Sequence, residues 1–203
     1  MIASILKLNR NDCKNIQLKD VYSLHKAVYS LFPKQKEEDT RDFLFADKGG
    51  DFNHRKILIL SERKPAVPEY GEIISKVVPE SFLECDYYGF EIILNPVTKN
   101  GLTKNTMPVK GTENLKDWFI KKTPNLGFIV EPAGLQVCRI SVLSFEREKE
   151  GKTIRQTHGS ATFIGKLTVV DRPIFKESFK HGIGRAKGFG FGLLQLVPLK
   201  KDN

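Results

Sequence analysis

The 203-residue sequence is poor in the residues that usually hold metals and disulfides. Its three cysteines, Cys13, Cys85 and Cys138, are odd in number and far apart. That excludes a disulfide framework and a zinc cysteine set. The four histidines, His25, His54, His158 and His181, show no metal-ligand spacing. The expected chemistry therefore uses no tightly held metal and no other cofactor. No apolar run reaches the ~18 residues that cross a bilayer. No charged-then-apolar leader opens the chain, so a cytoplasmic protein is expected. Gly-Lys-Ser and Gly-Lys-Thr are both missing, which rules out a nucleotide-hydrolase loop. A dinucleotide loop fails as well, because Lys187 stands where G-x-G-x-x-G needs its third glycine after Gly182 and Gly184. Only sixteen residues follow Lys187, too few for a βαβ crossover.

What the chain has in excess is positive charge, unevenly placed. The composition is 40% hydrophobic and 28% charged, that of a soluble globular protein of one or two domains. The net charge is +9. Residues 1–84 hold 14 Lys+Arg against 13 Asp+Glu, whereas residues 85–203 hold 19 against 11. A basic second half favours a polyanion partner, and RNA or DNA is a commoner one than a membrane.

The periodicity gives the order strand, helix, strand, strand, helix, strand twice over. In residues 1–84, Ile2 to Leu8 reads as a strand. A helix capped by Asp20 runs over Val21 to Leu31. Arg41 to Phe45 and Lys56 to Ser61 read as strands. Pro68 to Ser75 reads as a short helix, and Lys76 to Leu83 as a returning strand. In residues 85–203, Tyr87 to Leu94 is a strand, Asn114 to Lys122 a helix with Trp118 in its packing face, and Gly127 to Glu131 a strand. Val137 to Arg147 and Ser160 to Val170 are longer strands flanking a charged, hairpin-like insertion. Pro173 to Lys180 is a helix and Gly192 to Pro198 the closing strand. Two βαββαβ units are a tandem of ferredoxin-like, RNA-recognition-motif-like domains of the α+β class. The aromatic run of an RNA-binding sheet is missing, so contact with RNA is expected through basic loops.

On the first helix, Val21, Leu24, Val28 and Leu31 make an apolar stripe that should pack on the first sheet. Tyr22, His25, Lys26 and Tyr29 share an adjoining face, three or four residues apart. A phenol, an imidazole and an ammonium beside one another suit RNA cleavage by the 2′-hydroxyl. The reaction needs a base, an acid and positive charge at the crowded phosphorus. Near the C-terminus, five glycines fall within eleven residues, Gly182 to Gly192, with Arg185 and Lys187 among them. Backbone amides beside two cations form a site for a phosphate chain. Lys99, Lys104 and Lys110 extend the basic track, and His158 and His181 are minor candidates for a second acid.

These motifs taken together carry a resemblance. Tyr22-Ser23-Leu24-His25-Lys26, Leu31-Phe32-Pro33, Arg41-Asp42-Phe43-Leu44-Phe45, Asn95-Pro96 and the terminal Gly182-Ile183-Gly184-Arg185-Ala186-Lys187 to Pro198 span almost the whole chain. In order and spacing the chain resembles the CRISPR-associated repeat-processing endoribonucleases, specifically the CasE branch of type I-E systems. The resemblance implies tandem ferredoxin-like domains and metal-independent cutting of CRISPR repeat hairpins in precursor RNA, leaving a 2′,3′-cyclic phosphate. It also implies that the crRNA product stays bound within a surveillance complex of other subunits.

Carried onto this sequence, the resemblance makes His25 the catalytic histidine, Tyr22 its tyrosine and Lys26 the basic residue that follows. Arg147, Lys149, Lys152 and Arg155 of the basic insertion hold the RNA stem. Gly182, Gly184, Arg185, Lys187 and Gly188 hold its backbone phosphate. Phe189-Gly190-Phe191 departs from the family pattern in being more aromatic. The alternative reading, a non-catalytic RNA-binding subunit of a CRISPR ribonucleoprotein, keeps the basic half and treats Tyr22 and His25 as packing.

Overall fold

The structure is a computed structural model that describes residues 1–33, 41–50, 54–99, 105–149 and 152–200. Its first sheet holds β1 (Ile2–Asn9), β2 (Phe43–Gly50), β3 (His54–Ser61) and β4 (Glu72–Val77) in the order β2-β3-β1-β4, with every neighbouring pair antiparallel. This is the strand order of a ferredoxin-like unit. A short helix α1 (Arg10–Asn15) and the longer α2 (Val21–Tyr29) connect β1 to β2.

The unit lacks its second helix. Pro68 to Ser75 forms no helix, and the returning strand is β4, earlier than Lys76 to Leu83. Residues Glu80–Leu83 make a 3-10 turn instead. The Pro68-Glu69 pair imitates a helix start, but Ile73, Ile74 and Val77 favour extended backbone, and β1 offers an edge to pair with.

The second sheet is built from β5 (Tyr87–Leu94), β8 (Phe128–Val130), β10 (Lys152–Val169) and β11 (Gln195–Pro198), in the order β11-β5-β10-β8. The same strand order recurs, here with both helices, α3 (Thr112–Lys122) and α4 (Arg172–His181). A two-stranded ribbon, β6 (Val97–Lys99) and β7 (Thr106–Pro108), occupies part of the stretch expected to be a basic loop; Lys104 lies outside the described residues. The insertion is a continuation of two long strands. β9 (Gln136–Lys149) pairs with the first part of β10 from Lys149–Lys152 down to Gln136–Ile164. The register shifts between Ser160 and Thr162, and Arg139 takes φ 49° there. Such a bulge bends the hairpin.

Alternation explains why the first four residues of β2 are buried on both faces of the sheet. Along β2, Phe43 and Phe45 join Leu24 and Val28 of α2 in one core. Leu44 and Ala46 point the other way and join Phe179, Leu193 and Leu194 of the second unit. Each such apolar side chain removed from water contributes about 1.5–3 kcal/mol. Polar ties cross the same seam: Lys48 Nζ donates to Glu91 at 2.8 Å and to Gln195 at 2.7 Å, and Lys180 pairs with Glu62 at 2.9 Å. After β4, Tyr88 locks the entry to the second unit. Its hydroxyl donates to the Phe82 carbonyl at 2.6 Å and accepts the Cys85 amide at 3.1 Å. Burial, the largest cause, pushes its phenol up to about 12. Among the described residues no helix is long and apolar enough to cross a membrane.

Candidate active site

Helix α2 starts where the capping chemistry says it should. The Asp20 carboxylate accepts the Ser23 amide at 2.8 Å, and the Ser23 hydroxyl accepts the Asp20 amide at 2.9 Å. This reciprocal cap fixes the first turn. Leu24 and Val28, 1% and 0% exposed, then set the helix rotation against the sheet. The flank that remains carries Tyr22, His25, Lys26 and Tyr29, and it faces the glycine-rich loop and β9.

The imidazole of His25 is held by the other end of the chain. Its Nδ1 lies 2.7 Å from the carbonyl oxygen of Gly188, 163 residues away in sequence. A carbonyl has no hydrogen to give, so Nδ1 carries the proton and donates it. Nε2 is therefore the ring nitrogen that takes up and releases a proton. Aromatic rings restrict the imidazole further. Ring centroids of Tyr29, Phe189 and Tyr22 lie 3.9, 5.2 and 5.7 Å from it. Tyr22 is also stacked on Phe145 at 6.0 Å with 3° between the planes, and Phe145 meets Phe189 at 4.6 Å. Lys26 Nζ stands 5.2 Å from the centre of the Tyr22 ring. Tyr22, His25 and Lys26 thus share one patch, backed by rings from both units.

Gly188 is the narrow point. A Cβ on this residue would lie 3.1 Å from Tyr29 Oη, 3.2 Å from Arg41 Nη1 and 3.9 Å from His25 Nδ1. A methyl here would press on the phenol and the guanidinium, so glycine keeps the carbonyl, the imidazole and both side-chain ends in close approach.

The other expected RNA ligands are placed unequally. Lys187 turns inward. Its ammonium donates to the carbonyls of His181 at 2.8 Å and Gly182 at 3.2 Å. Burial, and after it the charge of Arg41, lower its pKa. In this arrangement Lys187 ties the loop to the end of α4. Arg185 is exposed and donates to the Thr106 hydroxyl at 2.9 Å. It lines a cleft of about 700 Å³ together with Asn95, Lys110, Ile140 and His158. Gly182 and Gly184 both take positive φ in the same loop.

On the hairpin, Arg155 lies opposite Glu146 and is exposed, on the face away from Phe145 and Gln156. Arg147, Lys149 and Lys152 have their backbone in the ladder; their side chains lie outside the described residues. His158 accepts from Asn95 Nδ2 at 3.3 Å and packs on Phe189 at 5.5 Å. His181 faces Glu177 at 3.0 Å. Among the described residues no group of three or more His, Cys, Asp or Glu is placed to hold a metal ion.

The sequence reading had not enlisted Phe145, Phe189, Arg41 or the Gly188 carbonyl at this site. Phe189 carries a signal as the unusual aromatic of the glycine loop, Arg41 as the opening residue of a motif in the resemblance, and Gly188 as an expected phosphate contact; Phe145 carries none.

Comparison with known proteins adds a family to this geometry. Residues 1–198 match the family described as CRISPR associated protein. The chain is 28% identical over 196 residues to the CRISPR system Cascade subunit CasE of Escherichia coli strain K12, a match covering 89% of this chain and 94% of that protein. Its fold is similar to that of Thermus thermophilus Cse3 bound to an RNA representing a pre-cleavage complex, with TM-score 0.82 and 18% identity over 97% of this chain and 98% of that one. It is also similar to Cas6e of Escherichia coli K-12, with TM-score 0.65 and 23% identity over 98% of this chain and 100% of that one. At these identities the two structures establish the shared tandem ferredoxin-like fold.

Proposed function

We propose that this chain, which belongs to the CRISPR-associated protein family, is an endoribonuclease that cuts the repeat hairpin of CRISPR precursor RNA. The observation that carries this reading is the His25 imidazole, fixed by the Gly188 carbonyl beside Tyr22 and Lys26. The relatives support it in kind: one is a Cascade subunit, and another is a Cse3 bound to RNA in a pre-cleavage complex.

In this reading the 2′-oxygen attacks the adjacent phosphorus and loses its proton. The bond from phosphorus to the 5′-oxygen breaks, and that oxygen gains a proton. The products are a 2′,3′-cyclic phosphate and a 5′-hydroxyl. His25 serves through Nε2, as the base for the 2′-hydroxyl or the acid for the leaving oxygen. Tyr22 positions the 2′-hydroxyl. Lys26, over the Tyr22 ring, offsets charge on the phosphorane. None of these steps asks for a metal.

Residues 1–84 act as the unit presenting the helix, and residues 85–203 as the unit gripping RNA. Arg147, Lys149, Lys152 and Arg155 hold the stem, while Arg185 and the loop from Gly182 to Gly188 meet the backbone. The product stays bound for a complex of further CRISPR subunits.

The test uses a repeat hairpin with ribose or 2′-deoxyribose at the cut position, in excess chelator. Cutting of the ribose form alone is expected. Tight binding without cutting of either form would make the chain a non-catalytic RNA-binding subunit, and strict dependence on added magnesium would reject the metal-free step.

A further inference from the structure

We propose that Arg41 is a further catalytic residue, its guanidinium binding a non-bridging oxygen of the phosphate at which His25 acts. The inference rests on the endoribonuclease reading and adds to it a ligand for the reacting group. Three observations converge. The first is position: Arg41 Nη1, Tyr29 Oη and His25 Nδ1 all lie within 4 Å of one point, the place a Cβ would take on Gly188. The cation and the imidazole therefore converge on Gly188 from two elements, although 16 residues separate them in sequence.

The second is charge. The carboxylates near the start of β2 and the end of β3 are committed elsewhere: Asp42 accepts from Arg63 Nε at 2.7 Å, and Glu62 pairs with Lys180 at 2.9 Å. Among the described residues no acidic group forms an ion pair with Arg41. Its nearby cation, Lys187, has its charge disfavoured by burial and then by Arg41 itself. With no acidic partner for Arg41 among the described residues, the two basic groups leave a positive field that a phosphodiester would neutralise.

The third is access. Lys187 is half-buried and gives two of its three donors to carbonyls, whereas Arg41 is exposed and keeps a planar fork suited to two phosphate oxygens. The backbone beneath it is anchored, because the Glu62 amide donates to the Asp42 carbonyl at 3.1 Å. Arg41 moves no proton, since a guanidinium stays charged. Its contribution is to oppose the negative charge that grows on the non-bridging oxygens as the 2′-oxygen bonds to phosphorus and the 5′-oxygen departs.

The experiment compares the full-length wild type with Arg41→Ala, Arg41→Gln and Arg41→Lys. Single-turnover cleavage of the repeat hairpin should fall by about 10²–10³-fold in Arg41→Ala and Arg41→Gln, with Arg41→Lys recovering about tenfold. Binding is then measured on hairpins with 2′-deoxyribose at the cut position, carrying either a normal phosphate or a neutral methylphosphonate at that linkage. Arg41→Ala should lose about tenfold in affinity for the phosphate form and almost none for the methylphosphonate. Equal losses on both linkages, or wild-type cleavage by Arg41→Ala, would overturn the assignment. A wild-type protein that cuts no repeat hairpin would instead overturn the endoribonuclease reading, and the two binding arms would still report on the contact.

Discussion

Replacing Gly182 by alanine separates two jobs that the glycine-rich loop could be doing. Gly182 sits at φ +74°, where its added Cβ would lie 2.8 Å from both Leu44 δ-carbons and 2.9 Å from the Gly192 carbonyl oxygen. At φ 74° and ψ 163° the backbone lies in a region that is essentially glycine's alone and costs an L-residue about 1–3 kcal/mol. Forcing a methyl against Leu44 and a backbone oxygen adds about 1–3 kcal/mol of overpacking. The sum, about 2–6 kcal/mol, should lower the melting temperature by on the order of 10 °C in a chain of this size. Gly184 is the internal control. It has a similar φ of +82°, but its Cβ would meet only Leu94 Cδ2 at an ordinary 3.6 Å. Gly184→Ala should therefore show the backbone cost alone, about 1–2 kcal/mol. Thermal melts followed by circular dichroism, in matched buffer, give both numbers. If Gly182→Ala is no less stable than Gly184→Ala, the claim that Gly182 serves the packing of loop on sheet is wrong. Repeat-hairpin affinity measured on the same proteins should drop in Gly184→Ala, whose position is exposed.

Two other perturbations test the supports of the site. Asp20→Ala removes the acceptor that caps α2 at 2.8 Å and should cost about 1 kcal/mol; cleavage should fall with it, because the capped turn carries Tyr22, and an unchanged melting temperature would contradict the cap's role. Tyr88→Phe strands the Cys85 amide and the Phe82 carbonyl and should cost about 1–3 kcal/mol at neutral pH. The Tyr88 contribution is full below the ordinary phenol pKa of about 10 and is lost as pH rises through about 12, so the gap between wild type and variant in denaturant melts should close over that window.

Much of the fold was legible because its elements are periodic. Alternation marks β1, an apolar run marks β3, and the Asp20 cap marks α2; α4 opens in the same way, its Asp171 carboxylate accepting the Ile174 amide at 3.0 Å. α1 escaped notice because Arg10–Asn15 has no apolar stripe and no buried residue. Its one signal was local: Asn9 and Asp12 form a capping box. The segment from Pro68 to Val77 misled because a proline and an acid imitate a helix start, while pairing with β1 decides the outcome.

At the site, residues three or four apart on one helix were readable as neighbours, which is why Tyr22, His25 and Lys26 could be grouped from spacing. What sets the imidazole was not readable. The Gly188 carbonyl, Phe189 and Phe145 arrive from more than 100 residues away, and no local pattern encodes which loop carbonyl meets which ring. Lys187 shows the converse. Its position among glycines suggests a phosphate ligand, and its ammonium is folded back onto the carbonyls of His181 and Gly182 at the end of α4.

The most direct measurement is single-turnover cleavage of the repeat hairpin by His25→Ala, with hairpin affinity determined on the same protein. The account predicts a rate about 10²–10⁴-fold below wild type with nearly unchanged affinity. Cleavage at the wild-type rate would contradict it, because the imidazole that Gly188 holds in place would then have no part in the chemistry.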